Sequence, residues 1–326
     1  MLRMGNTFIG ATGQIDSQAL SAEELAQSLD GLLGVEQTEK SCGQLSLLVR
    51  ILDRVTKINP HQHITGSIGS RDLLQRVVQV YRQDPLARET FLDYINQRRL
   101  THFKEPEDFF QQSDEALLRW FEQQIPLSGN PGCFKEADDH LSLARLAFQS
   151  RHEASFELLK EAYRTVALEN LAHGVTEVWF RTSLGDHEDD SFTKAAQAAI
   201  QGARQAELEA RVPLSVRFLV GMRKRLPDSV TDLPDSRATD ASAASLVTAI
   251  GHLRQTVPDA RTAILGIDSV GMDSDWNPQR QSVARSIAMW SGLHIAVHFG
   301  ESWREGGFCQ PWRGWKNWSG TGLSIS

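Results

Sequence analysis

Cysteine is scarce in this 326-residue chain: Cys42, Cys133 and Cys309 lie far apart, and no pair has the CxxC spacing of a zinc knuckle or redox couple. Plain thiols are expected. Long hydrophobic runs are missing too. No stretch approaches the roughly 18 apolar residues of a membrane span, and the opening MLRMGNTFIGATGQ lacks the sustained apolar core of a secretory leader. A soluble, cytoplasmic protein without a membrane partner is expected. Positive charge is in deficit, with 34 lysines and arginines against 41 acidic residues, a formal charge of -7 and a pI near 5.8. That balance argues against a grip on nucleic-acid polymers and leaves a small molecule as the expected partner.

What is present is a long helical stretch followed by a regular alternation. Residues 1–20 read as a polar lead without regular structure. Ser21-Ala22-Glu23-Glu24 and Ser41-Cys42-Gly43-Gln44 fit the capping-box spacing, and Leu48, Ile51, Leu52 and Val55 recur at helical intervals, so a helical extension is predicted up to residue 56. A short strand is predicted over 57–64, with Ser70 capping a helix that begins at Arg71. From Arg71 to about Asn170 the pattern is helical, broken by Pro106, by Pro126 and by the loop at 128–132. Phe109, Phe110, Trp120 and Phe121 are read there as packing residues, and His102, His140 and His152 as solvated surface.

After His173-Gly174, a helix stop, strands are predicted at 175–182, 214–222 and 262–268 and helices at 191–212 and 240–256. Asn277-Pro278 supplies a cap and first-turn proline for a helix that stops at Gly292, and Leu293–Glu301, LHIAVHFGE, is the last strand with its exit. Successive strand-then-helix units imply a parallel sheet. The length suits two domains or one barrel-sized domain with an extension.

The two histidine-bearing strands carry the chemistry. Side chains alternate along a strand, so His61 and His63 in KINPHQHI share a face. His298 sits at the carboxyl end of another strand, and in a (β/α) barrel all such ends open onto one face. Three neutral imidazoles with an open position suit a catalytic zinc, which lowers the pKa of its water toward about 7. Glu301, three residues beyond the third histidine, is placed to handle protons beside it.

At these residues the chain resembles the adenosine and AMP deaminase family of zinc-dependent (β/α)8-barrel hydrolases. The family's HxHxxGS reads here as His61-Gln62-His63-Ile64-Thr65-Gly66-Ser67, its GIDxxG as Gly266-Ile267-Asp268-Ser269-Val270-Gly271, and its HAGE as His298-Phe299-Gly300-Glu301. Weaker echoes are Trp179-Phe180-Arg181 and the segment from Val216-Arg217 to Arg223. The resemblance covers 57–301. It implies an α/β fold of the TIM-barrel type, zinc bound by His61, His63 and His298, and Glu301 as proton donor to a purine ring. Gly271 would offer its N–H to the purine, and Thr65 and Asp268 are substrate-binding candidates. The implied reaction is hydrolytic removal of the C6 amine of an adenine nucleoside or nucleotide by zinc-activated water, a C–N bond hydrolysis in a cyclic amidine.

This sequence departs from the family's pattern in three places. Thr65 stands where the family has an acidic residue near the sugar, and Phe299 replaces the small residue of HAGE. No histidine or aspartate follows Glu301, although the family draws a further histidine and a metal-site aspartate from later strands. The barrel is therefore expected to be truncated after its fifth strand and inactive alone. Trp312, Trp315 and Trp318 crowd the last stretch among glycines. Tryptophan has a single codon, and reading one nucleotide earlier forces glutamate from Trp315-Lys316 and leucine from Asn317-Trp318, within a permitted amphipathic helix. A frameshift near Gly306 is expected, with a genuine short form as the alternative. The expected division is a helical extension over 1–56, a partial barrel over 57–305 and an aberrant tail over 306–326.

Two rival readings remain. A catalytically dead barrel acting as a binding or regulatory module would show no turnover on adenosine, AMP or adenine. Another metal-dependent hydrolase of the same architecture commonly uses a bridging lysine at a strand end, and 214–222 and 262–268 contain none.

Overall fold

A computed structural model describes residues 8–9, 15–16, 57–67, 70–98, 107–124, 134–150, 152–185, 187–224, 226, 235–271 and 277–298. Near the amino terminus, β1 (Phe8–Ile9) pairs antiparallel with β2 (Ile15–Asp16), where the polar lead was expected to lack regular structure. The predicted helices of 21–56 and the tail of 306–326 lie outside the described residues.

The body of the molecule is a five-stranded sheet of β3 (Lys57–Gln62), β4 (Val175–Thr182), β5 (Ser215–Arg223), β6 (Ile264–Val270) and β7 (His294–Val297). All neighbours are parallel, and spatial order follows chain order. A doubly wound sheet reverses direction at a switch point, whereas an unreversed order belongs to a barrel. Curl follows from one contact. Four inter-strand steps of about 4.8 Å would hold β3 and β7 roughly 19 Å apart in a flat sheet, yet Nε2 of His63 at the exit of β3 lies 2.9 Å from Nε2 of His298 at the exit of β7. The sheet is bent so that its two outer strands face each other.

Among the described residues, six α-helices lie between β3 and β4: α1 (Arg71–Gln83), α2 (Pro85–Gln97), α3 (Glu107–Gln111), α4 (Asp114–Gln124), α5 (Phe134–Gln149) and α6 (Glu153–Ala172). Ser70 accepts from the Leu73 amide and starts α1 as predicted. Asp84-Pro85 divides α1 from α2, a break that the sequence reading passed over: the residue before proline is pushed out of the helical region, and the Asp84 carboxylate caps α2 at the Leu86 amide. Phe109, Phe110 and Phe121 are buried with Tyr81 and Phe91, and Trp120 packs edge-on to Phe109, so these aromatics are core. His152 is exposed as expected and also caps α6 through Nδ1.

The remaining connections are α7 (Asp190–Glu209), α8 (Asp235–Thr256) with the short α9 (Ala260–Ala263), and α10 (Ser282–Trp290) after a 3-10 turn opened by Asn277-Pro278. Strand β4 falls where predicted, and β5 and β6 run one or two residues later than predicted. On β4, Val178, Phe180 and Thr182 face the helices, where Phe180 meets Tyr163 of α6 and Phe218 of β5. Helices α6 and α7 touch backbone to backbone, since a Cβ at Gly202 would sit 2.1 Å from the Lys160 carbonyl oxygen. The alternate residues of the strands, Arg181 and Asp268 among them, face the concave side.

Candidate metal centre

Strand alternation delivers the first two imidazoles. His61 lies in the last turn of pleat of β3 and His63 directly after the strand, and their Nε2 atoms are 2.8 Å apart. The intervening Gln62 points away and donates to Ser67 Oγ, which donates in turn to the His63 carbonyl at 2.5 Å. The tight turn Thr65–Ser67 is thereby fastened under the two histidines. Asn59 Oδ1 accepts from the His61 amide at 3.2 Å, which fixes the main chain before it.

The third imidazole comes from the far side of the sheet. His298 follows β7, and its amide donates to the Ser269 carbonyl at 2.9 Å, extending the β6–β7 ladder by one bond. Ring centroids of the three histidines lie 4.5 to 5.0 Å apart, and among the described residues this trio is the group able to hold a metal ion. Tetrahedral ligands at about 2.0–2.1 Å from zinc stand roughly 3.3 Å from one another. The observed 2.8 and 2.9 Å separations reach that value with a small opening of the trio, so the residues fit zinc.

Electrostatics agree with that fit. Burial, then the neighbouring His298 and His61, depress the pKa of His63 from 6.5 to about 4. His61 is lowered by burial first, then by His298 and Arg181. Both rings are neutral near pH 7, the form in which imidazole binds a metal. Behind His298, Oδ2 of the fully buried Asp268 lies 2.6 Å from Nδ1. A carboxylate at Nδ1 sets the tautomer and leaves Nε2 free to ligate. Arg181 of β4 lies 3.4 Å from the same carboxylate oxygen and donates through Nε to the Pro60 carbonyl at 3.1 Å, bracing β3 and β6 together.

Of the other residues singled out in the sequence, Thr65 begins the turn after His63, and Gly271 is exposed directly after β6 with φ +124. Glu301 and its neighbours Phe299 and Gly300 lie outside the described residues, as do His102 and the side chain of His140. One feature escaped the sequence reading. Strand β5 runs on to Arg223, and Lys224 follows it, 1 % exposed, with Nζ 2.6 Å from the His298 carbonyl oxygen and 3.0 Å from that of Gly271. A lysine thus does stand at a strand end, two residues beyond the predicted limit of the strand; these two bonds take its amine to main-chain carbonyls. The basic pair Arg223-Lys224 closing an apolar run was the signal available.

No protein-family model matches the chain, and no curated protein matches it. Solved structures do. Arabidopsis ADAL complexed with GMP is 18% identical, with 78% of this chain and 61% of that chain covered and a TM-score of 0.46. The Arabidopsis N6-mAMP deaminase MAPDA is also 18% identical, covering 78% and 62% at a TM-score of 0.47. An amidohydrolase from Burkholderia ambifaria with bound Zn is 15% identical, covering 87% and 59% at a TM-score of 0.46. The chain spans about three fifths of the length of these structures.

Proposed function

We propose that this chain carries a zinc centre for the hydrolytic deamination of an adenine nucleoside or nucleotide. The observation that supports it most is the meeting of three imidazoles from opposite edges of a five-stranded sheet, with Nε2 atoms 2.8 and 2.9 Å apart. His61, His63 and His298 are the ligands, and zinc held by them supplies a nucleophile by lowering the pKa of a water toward about 7. Asp268 orients His298, and Arg181 braces Asp268. Their burial leaves the three imidazoles and the exposed Gly271 to face a substrate, with the Gly271 N–H as a donor to the purine and Thr65 beside the sugar. Glu301, by its place in the HxGE pattern, delivers a proton to the ring as C6 is attacked.

Zinc content and ammonia release from adenosine, AMP and adenine, measured on the chain extended to a full barrel, test the proposal. His61→Ala and His298→Ala are expected to lose the metal, and Glu301→Gln to keep it while losing turnover. Unchanged activity in Glu301→Gln sinks the assignment. Zinc binding without turnover on any of the three substrates favours the binding or regulatory module instead.

A further inference from the structure

Lys224 holds the exits of three strands at once. It is buried, and a buried ammonium is stable only when its hydrogen bonds are made. Its Nζ donates to the carbonyl of His298, after β7, and to the carbonyl of Gly271, after β6, while its own main chain leaves β5. Charge-assisted bonds of this kind are roughly twice as strong as neutral ones.

The main chain of Lys224 adds a second grip. Its amide donates to the Val270 carbonyl at 2.7 Å, so one residue holds the carbonyls on both sides of Gly271. The peptide bonds are trans, which points the Gly271 N–H away from the Val270 carbonyl in the same plane. With both flanking planes held, the direction of that N–H is set. The φ of +124 at Gly271 suits glycine, and a Cβ there would lie 3.6 Å from Lys224 Cβ, so Gly271 rests on the lysine stem.

We propose that Lys224 is a positioning residue that couples the metal ligand His298 to Gly271, so that the imidazole and the Gly271 N–H keep one fixed relation. The proposal rests on the metal-centre reading above. It is distinct from the roles of Asp268 and Ser269: Asp268 sets the ring of His298 and Ser269 its amide, whereas Lys224 spans from His298 to Gly271.

The test uses the full chain with Lys224→Met, similar in volume and unable to donate, and Lys224→Gln, one bond too short to reach both carbonyls. Zn2+ affinity is measured by competition with a chromophoric chelator, and the visible spectrum of the Co2+ form reports ligand geometry. Both variants are expected to bind Zn2+ at least tenfold more weakly and to show an altered Co2+ spectrum, with far-ultraviolet circular dichroism unchanged. A folded variant with wild-type affinity and spectrum overturns the proposal. A measurement on the unmutated protein guards against variants that fail to fold. Zn2+ is expected to slow amide exchange in the peptide spanning 268–272, and no slowing overturns the coupling. Failure of the wild type to bind Zn2+ at all overturns the metal-centre reading, and this proposal with it.

Discussion

Gly266→Ala is expected to dismantle the metal centre from a position that touches none of the ligands. Gly266 pairs with His294 across β6 and β7, and a Cβ at 266 would stand 1.9 Å from the His294 carbonyl oxygen and 2.6 Å from its carbon. Ordinary contact begins near 3.4 Å, so β7 must retreat by about 1.5 Å. The obstacle is backbone, and no rotamer change relieves it. Strand β7 carries His298 directly after Val297, whereas His61 and His63 belong to β3 at the other edge of the sheet, so the retreat separates one ligand from two. Metal–ligand distances tolerate about 0.2 Å. The displacement exceeds that several times, and Zn2+ affinity is expected to fall at least about a hundredfold, or about 2.7 kcal/mol. Stability is expected to fall by about 1–3 kcal/mol, the usual cost of overpacking. Gly251→Ala is the control, since nothing lies within 4 Å of a Cβ there; in the middle of α8 it is expected to leave Zn2+ binding unchanged and to stabilise by up to about 1 kcal/mol. Chelator competition and urea melts measure both variants. Zn2+ affinity within threefold of wild type in Gly266→Ala, with an unchanged melt, refutes the reasoning.

Two further outcomes follow from the same site. Asp268→Asn keeps the shape behind His298 but removes the charge 2.6 Å from Nδ1, and Zn2+ affinity is expected to drop about 10–100-fold in chelator competition, with the three ligands intact. The metal-free protein is expected to lose stability as pH falls: His63 takes a proton near 6.5 when unfolded and near 4 when folded. The unfolded state binds more protons between those values, so stability is full above about pH 6.5, declines toward pH 4 and is flat below, by at most about 3 kcal/mol from this group. Urea melts from pH 4 to 7.5 on wild type and His63→Gln measure it, and equal slopes in the two proteins refute the assignment to His63.

Much of the fold was legible because it is written in local spacing. The two-residue alternation of β3 put His61 and His63 on one face, Ser70 announced α1, His173-Gly174 ended α6, and the strand-then-helix rhythm implied parallel strands. These signals depend on residues two to four positions apart, whose relation is set by backbone geometry alone. The motif resemblance went further and named His298 as the third ligand, but it placed Asp268 among substrate-binding residues without showing where its carboxylate points.

Tertiary structure decided the rest. Only the curl of the sheet brings β7 against β3, and curl comes from the packing of helices on one face, to which no single segment commits. Asp268 becomes a support for His298 through a contact thirty positions away in the chain, and Arg181 joins β3 to β6 across two strands. Gly266 and Lys224 were both in plain view as residue types. What makes one a spacer for β7 and the other a clamp on His298 and Gly271 is the arrival of distant backbone, 28 and 74 positions along the chain, at contact distance. Such contacts are fixed by non-local packing, which the local sequence pattern does not encode.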